Sequence, residues 1–216
     1  MAKKIKKVFI VGNDWGHQYT DMFTGSGWEI AEELTKADLI QFTGGFDVTP
    51  SLYGQNKHPK TVTSIARDRR ERVIFGVARL NNIPMAGICR GGQFLNIMCG
   101  GSMFQHITGH GVSHDAFDLW TNQHITVSST HHQQMIPINN KNKYMVLMTA
   151  SCSGSIKERC SNLNTMHHVI TAFGSKIDYE ALYYYDEECL CFQPHPEFPH
   201  FPELRERYFS YVDSLC

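Results

Sequence analysis

The sequence lacks the features of several protein classes. No stretch approaches the ~20 consecutive apolar residues of a membrane-spanning helix. The basic start (residues 3–7) is followed by an apolar run that stops at Gly12, too soon for a signal peptide. The net charge of −1 provides no electrostatic basis for binding nucleic acid or an anionic membrane. We therefore expect neither nucleic acid nor a membrane as a partner.

Paired C-x-x-C spacings are also missing. The seven cysteines are an odd, scattered set, which argues against a disulfide framework and favours a reducing compartment. This predicts a cytoplasmic protein. The 216 residues contain no repeats, linkers or low-complexity tracts, so a single domain over residues 1–216 is predicted.

The distribution of apolar runs predicts an α/β fold with a largely parallel sheet. A polar loop is expected at Asn13–Thr20, and a helix at Ser64–Leu80. The charged residues 67–72 of this helix are expected to be mostly solvated, and its apolar face is formed by Val73, Ile74, Val77, Ala78 and Leu80. The His-rich region Ser102–Met135 predicts antiparallel strands and loops. Further strands are predicted at Lys6–Gly12, Trp28–Ile30, Ala37–Phe42, Tyr144–Thr149, His168–Phe173, Tyr179–Tyr185 and Glu188–Gln193, and a closing helix at Pro202–Leu215.

The segment Gly87–Gln93 lies between two apolar runs. That context is typical of a strand, a tight turn and a helix that together hold a nucleophile, here Cys89, above a parallel sheet. Glycines on both sides of the cysteine permit the sharp turn, and the positive end of the helix dipole favours a thiolate. Taken alone, the pattern also fits a buried structural cysteine.

Two more segments follow predicted strands. Gly44 and Gly45 allow a backbone N–H to point toward a ligand, although a plain tight turn explains them equally well. His195 and Glu197 are two residues apart in extended chain stiffened by prolines, so the carboxylate can orient the imidazole. A surface turn is the alternative.

Histidines recur at a four-residue spacing at positions 106, 110 and 114. On one helix this spacing would create a metal-binding face. Gly109 and Gly111 interrupt the run and make a continuous helix improbable, so we predict no metal site.

The three glycine, cysteine and histidine segments together resemble the class I glutamine amidotransferase superfamily, and in particular its γ-glutamyl hydrolase branch, peptidase family C26, which includes γ-glutamyl-γ-aminobutyrate hydrolase. The similarity extends to residues 43–54, 68–101, 129–133 and 179–181. Pro194 and Gly92 stand where the family usually has tryptophan and a bulkier residue.

The resemblance implies a flavodoxin-like three-layer, doubly wound sheet with additional antiparallel strands, and no cofactor. It implies a Cys89–His195–Glu197 triad, an oxyanion hole from the N–H groups of Gly45 and Arg90, and substrate contacts from Gln93, His131 and His132. The expected reaction is hydrolysis of a γ-glutamyl amide through a glutamyl thioester.

Two other functions are left open. One is a glutaminase subunit that passes ammonia to a separate synthetase, and the other is a binding module without activity. A homodimer is also left open.

Overall fold

The computed structural model describes residues 4–150, 156–166, 168–172 and 178–216. The strands are β1 (Lys7–Val11), β2 (Glu29–Ile30), β3 (Leu39–Phe42), β4 (Met85–Ile88), β5 (Ser102–Phe104), β6 (His106–Ile107), β7 (His114–Asp118), β8 (Gln123–Val127), β9 (Gln134–Ile136), β10 (Tyr144–Ala150), β11 (Lys157–Cys160), β12 (Val169–Ala172), β13 (Asp178–Tyr184) and β14 (Cys189–Phe192). The α-helices are α1 (Gln18–Gly25), α2 (Ile65–Leu80), α3 (Arg90–Met98) and α4 (Pro202–Leu215).

The central sheet has a parallel half and an antiparallel half. Its strand order is β2-β1-β3-β4-β14-β13-β10-β7-β8. The first five strands are parallel neighbours, and the other four continue the sheet with antiparallel pairings. This architecture confirms the predicted α/β fold with additional antiparallel strands.

Helices cover both faces of the parallel half. On one face, Phe23 of α1 and Tyr208 of α4 belong to a buried apolar cluster that includes Leu190 of β14. On the other face, Phe75 of α2 and Phe94 of α3 belong to a second cluster. Two apolar layers on one sheet are the three-layer, doubly wound arrangement expected from the sequence.

The interpretation of residues 13–20 as a loop is partly wrong, because α1 already begins at Gln18. The Asp14 carboxylate accepts hydrogen bonds from the backbone N–H groups of Tyr19 (2.7 Å) and Thr20 (3.1 Å). These contacts satisfy two N–H groups in the first helical turn, as capping side chains do. Because the cap lies four residues before the helix, the residue directly before the helix does not indicate it.

The predicted helix over residues 64–80 is confirmed, but its faces were assigned incorrectly. Asp68 and Glu71, expected in solvent, are buried, whereas Val73 and Leu80, expected in the core, are 67% and 86% exposed. The acids are buried because they pair with Arg90, which no pattern within the helix could indicate.

Close backbone packing surrounds the turn between β4 and α3. A Cβ atom on Gly92 would lie 2.8 Å from the Phe192 nitrogen and 3.0 Å from the Gly87 oxygen. The bulkier residue usual in the family would therefore collide with β14 in this chain. Gly100 has φ = +89° just after α3, a left-handed conformation that glycine commonly adopts at the end of a helix.

The region from Ser102 to Met135 forms short antiparallel strands, as predicted. The strand predicted at His168–Phe173 is present as β12, although Phe173 lies outside the described residues, as does Cys152. The six cysteines within the described ranges are free thiols. In the part of the chain that the structure covers, no helix is long and apolar enough to cross a membrane.

Candidate active site

Cys89 occupies the turn between β4 and α3 with a strained backbone, φ = +52° and ψ = −113°. A non-glycine residue with positive φ is unusual, and such strain is characteristic of functional positions. The turn is tight because Gly91 lies against β3: a Cβ atom there would be 2.2 Å from the Phe42 oxygen. The Cys89 side chain is 8% exposed at the carboxyl end of the parallel strands.

His195 and Glu197 follow β14, the strand next to β4. The Nδ1 atom of His195 lies 2.7 Å from Oε1 of Glu197, and both side chains are buried. The Cys89 thiol is also near enough to interact electrostatically with the ring. The tertiary structure thus brings together the cysteine, histidine and glutamate that the sequence indicated.

The His195 ring is held by groups that sequence reasoning missed. Phe198 stacks on it with a centroid distance of 4.6 Å and an interplanar angle of 5°. The Thr130 hydroxyl lies 2.8 Å from Nε2, and the Ser128 hydroxyl bonds both the N–H and the carbonyl of His195. Thr130 belongs to the segment 129–133 that resembles the family, and Ser128 directly precedes it, so that segment was a usable signal.

The electrostatic environment of His195 favours its protonated form. Burial alone lowers the pKa of an imidazole, but here the charge of Cys89, the hydrogen bond with Cys89 and the Glu197 carboxylate outweigh burial and raise the pKa to about 10. An imidazolium at neutral pH can donate a proton to a leaving group.

Tyr19, on α1, connects the carboxylate to the glycine turn after β3. Its hydroxyl donates to Oε1 of Glu197 (2.9 Å) and accepts from the backbone N–H of Gly44 (2.9 Å). Burial, followed by the Glu197 charge, raises the pKa of Tyr19, so the hydroxyl stays protonated and remains a donor. The sequence analysis missed Tyr19 because it assigned the segment to a loop.

The glycine turn lies beside Cys89. A Cβ atom on Gly44 would be 3.7 Å from the Cys89 Cβ and 3.5 Å from Cε1 of His195. Gly45 has φ = +134°, a conformation that favours glycine. The Arg67 guanidinium fixes the turn by donating to the carbonyls of Gly44 (2.7 Å) and Thr43 (2.8 Å).

Arg90, the residue after Cys89, anchors the start of α3. Its buried guanidinium pairs with Asp68 and Glu71 of α2, and Glu71 also accepts from Arg67 at 2.6 Å. One network of charges therefore holds both the glycine turn and the cysteine turn. Buried charges of this kind are tolerated only when they are paired.

A cavity of about 490 Å³ opens beside the glycine turn. Exposed rings of Trp15 and Phe46 line it, together with Arg70 and Gly45. The cavity walls do not include the cysteine or the histidine, so the cavity extends the site on the side of the glycine turn. Its size suits a small molecule.

The three residues expected to contact substrate lie in different surroundings. Gln93 is buried on α3, with its amide donating to Gln193 at 3.2 Å. His132 is partly exposed and lies 3.2 Å from the Asp47 carboxylate. His131 is buried, and burial lowers its pKa to about 4 although Glu180 opposes this.

The histidines at positions 106, 110 and 114 lie on no common helix. His106 stacks on His58 with a centroid distance of 5.8 Å. The side chains of His110 and His114, by contrast, converge with Glu180 of β13, and their ligand-type atoms all lie within 4.8 Å of one another. Because no continuous helix joins the three residues, His106 lies apart from the other two rings. His110 and His114 meet Glu180 through tertiary packing, which the four-residue spacing does not encode.

Comparisons with known proteins agree with this geometry. The family model for peptidase C26 matches residues 22–197. The glutamine amidotransferase-like protein YvdE of Lactococcus lactis is 37% identical over 99 residues, which are 45% of this chain and 42% of that protein. The chain thus matches less than half the length of this relative.

Two solved structures share the fold. A glutamine amidotransferase from Thermotoga maritima superposes with a TM-score of 0.61 at 14% identity, covering 99% of this chain and 85% of that one. The glutaminase domain of CTPS from Trypanosoma brucei, with bound acivicin, gives a TM-score of 0.58 at 13% identity and coverages of 96% and 93%. The chain belongs to the peptidase C26 family, a family of glutamine amidotransferase-like hydrolases.

Proposed function

We propose that the protein is a cysteine-dependent hydrolase that cleaves γ-glutamyl amide bonds. The observation that carries this proposal is the buried His195 between Cys89 and Glu197, whose pKa of about 10 makes it an acid at neutral pH. A nucleophile, a proton donor and a group that orients the donor are the parts that acyl transfer to sulfur requires.

In the proposed reaction, the Cys89 thiolate attacks the γ-carbonyl carbon of the substrate. The tetrahedral intermediate collapses when the C–N bond breaks, and the leaving amine takes its proton from the His195 imidazolium. Neutral His195 then removes a proton from water, which hydrolyses the glutamyl thioester and releases glutamate and the thiolate. Glu197 keeps Nδ1 of the ring protonated throughout.

We assign the oxyanion hole to the backbone N–H groups of Gly45 and Arg90. Gly45 lies on the turn after β3, and Arg90 lies at the start of α3, directly after Cys89. The two turns are adjacent, and Cys89 lies beside the first of them. The Gly44 N–H already donates to the Tyr19 hydroxyl, so we assign the role to the N–H of Gly45, the next residue. Preorganised donors of this kind stabilise the charge that develops on the carbonyl oxygen.

We assign the glutamyl end of the substrate to Gln93 and His132. His132 is accessible, and release of Gln93 from Gln193 would free a side-chain amide for the substrate. Because His131 is buried, we assign it a positioning role. The cavity with Trp15 and Phe46 would receive the amine portion of the substrate.

A second candidate function is supply of ammonia to a separate synthetase. The fold similarity to the glutaminase domain of CTPS favours this alternative. In that case the chain would hydrolyse glutamine slowly alone and much faster with its partner, whereas a free-standing hydrolase would release glutamate from a γ-glutamyl amine unaided.

Intact-mass labelling with acivicin, followed by a release assay over a panel of γ-glutamyl amines and glutamine, tests the proposal. The matched control for Cys89→Ala is Cys216→Ala, which removes a partly exposed thiol at the other end of the chain. We expect one label and glutamate release, both lost only in Cys89→Ala.

Other results would contradict the proposal. Labelling with only trace glutamine turnover would favour the synthetase subunit. An unlabelled protein, or the same product rate in Cys89→Ala, would reject cysteine chemistry and favour a binding module.

A further inference from the structure

Three histidines and one glutamate form a buried cluster outside the candidate active site. Around the Glu180 carboxylate lie Nδ1 of His110 at 3.5 Å, Nε2 of His114 at 3.2 Å and Nε2 of His131 at 3.9 Å. Glu180, His110 and His131 are 0%, 1% and 4% exposed, and the His114 side chain is 12% exposed. In the proposed reaction none of these four groups contacts the substrate, and only His131 has a positioning role.

In each imidazole of this histidine–glutamate cluster, the ring nitrogen that faces away from Glu180, here called the outer nitrogen, makes a hydrogen bond that orients the ring. Nε2 of His110 contacts the Asp178 carboxylate at 2.8 Å, Nδ1 of His114 contacts the Val112 carbonyl at 3.2 Å, and Nδ1 of His131 contacts the Gln133 carbonyl at 2.9 Å. Carboxylates and carbonyls only accept hydrogen bonds, so each outer nitrogen carries the proton. The other nitrogen of each ring faces Glu180.

The inner side of the cluster leaves three buried polar atoms without a partner. Nδ1 of His110, Nε2 of His131 and Oε2 of Glu180 have no hydrogen-bond partner among the described residues, whereas Nε2 of His114 lies 3.2 Å from Oε1 of Glu180. Buried polar atoms without partners cost free energy. A cation at the centre of the cluster would contact all three.

We propose that His110, His114, His131 and Glu180 bind one zinc ion in a tetrahedral site. Imidazole and carboxylate ligands suit zinc, and tetrahedral geometry at ~2.1 Å from the metal requires ligand atoms about 3.4 Å apart. Nε2 of His114 and Nδ1 of His110 lie 3.2 and 3.5 Å from Oε1 of Glu180, which is close to this value, and Nε2 of His131 lies 3.9 Å from Oε2. The ligand atoms would move slightly inward on binding.

The surroundings of the cluster match those of zinc sites. Metal-bound histidines commonly donate their other ring N–H to a carboxylate or a backbone carbonyl, as all three rings do here. Asp178, which orients His110, is itself paired with Lys157. Four protein ligands leave no open position, so the site is structural and does not activate water.

The zinc site would also stabilise the segment that positions His195. Ser129 and Thr130 are the two residues before the ligand His131. The Ser129 hydroxyl donates to the carbonyl of His110, and the Thr130 hydroxyl contacts Nε2 of His195 at 2.8 Å. Glu180 anchors the same ion to β13 of the central sheet. This consequence rests on the proposed function, whereas metal binding itself does not.

Metal content and a cobalt spectrum test the site. We expect protein purified without a metal column to contain about one zinc per chain by elemental analysis. After removal by a chelator, Co²⁺ should restore the stability and give the intense visible absorption of a tetrahedral complex. His131→Gln and Glu180→Gln should lose this absorption, whereas His106→Ala, a histidine change in the neighbouring stack, should keep it.

The wild-type protein alone decides the outcome if a variant fails to fold. The proposal is overturned if folded wild-type protein holds no zinc, gives no tetrahedral cobalt spectrum and melts at the same temperature with and without chelator. Protons would then neutralise the cluster. Cys89→Ser should retain full metal content. If the protein binds metal but releases glutamate from none of the γ-glutamyl amides, the proposed function is therefore refuted and the zinc site is not.

Discussion

The Tyr19 hydroxyl lies 2.9 Å from Oε1 of Glu197, the same oxygen that lies 2.7 Å from Nδ1 of His195. Tyr19 thus shares the carboxylate oxygen that orients the imidazole. Through its second bond, to the N–H of Gly44, it also joins the carboxylate to the turn that carries the proposed oxyanion donor. Tyr19 positions both parts without contacting the reacting atoms.

Tyr19→Phe should lower kcat about 10-fold, which corresponds to ~1.4 kcal/mol, because Glu197 loses a donor and the Gly44 N–H loses its acceptor. KM should change little. The measurement is steady-state release of glutamate, with Tyr183→Phe as the control, since the Tyr183 hydroxyl donates to the carbonyl of Leu215, away from the site. Equal kcat values for the two variants would argue against the positioning role.

His195 should remain protonated up to about pH 10. Its pKa in the folded protein exceeds the ordinary 6.5, so the charged ring contributes stability that is complete below about pH 6.5 and is lost as the pH rises through about 10. An NMR titration of the ring measures this. In Cys89→Ser the thiolate is gone and the midpoint should fall by more than about one pH unit. A wild-type midpoint at or below 6.5 would contradict the proton-donor role.

Gly92→Ala should destabilise the protein by about 3 kcal/mol, because its Cβ would press on backbone atoms of β14 and the Gly87 turn. Gly76→Ala on α2 is the matched control: nothing lies within 4 Å of its Cβ, so alanine should stabilise the helix by about 0.5–1 kcal/mol. Urea unfolding of both variants checks the pair. The prediction is wrong if both changes have the same sign.

Glu71→Gln should cost about 3 kcal/mol of stability, because the buried Arg90 guanidinium loses one of its two carboxylate partners. Arg69→Gln changes an exposed residue of the same helix and should shift the free energy of unfolding by at most ~0.5 kcal/mol. Thermal and urea unfolding of the two variants give the comparison. A cost for Glu71→Gln as small as that of the control would mean that the network contributes little to stability.

Much of the architecture could be predicted because its signals are local. Short apolar runs predicted the strands, and the glycines around Cys89 predicted the turn that now has φ = +52° at the cysteine. His195 and Glu197 are two residues apart, so their contact depends only on extended backbone. These relationships lie within a few residues of sequence, where propensity and sterics act directly.

The tertiary structure decided the contacts that join distant segments. Asp68 and Glu71 look like ordinary surface acids until Arg90, about 20 residues later, packs against them. Tyr19 reaches Glu197 across 178 positions, and the ring of His131 meets Glu180 only because β13 crosses beneath it. Burial and charge pairing depend on which elements pack together, so no window of the sequence contains them. The sequence by itself determined the family and the fold class and indicated the candidate site residues, and the packing of distant elements determined their surroundings.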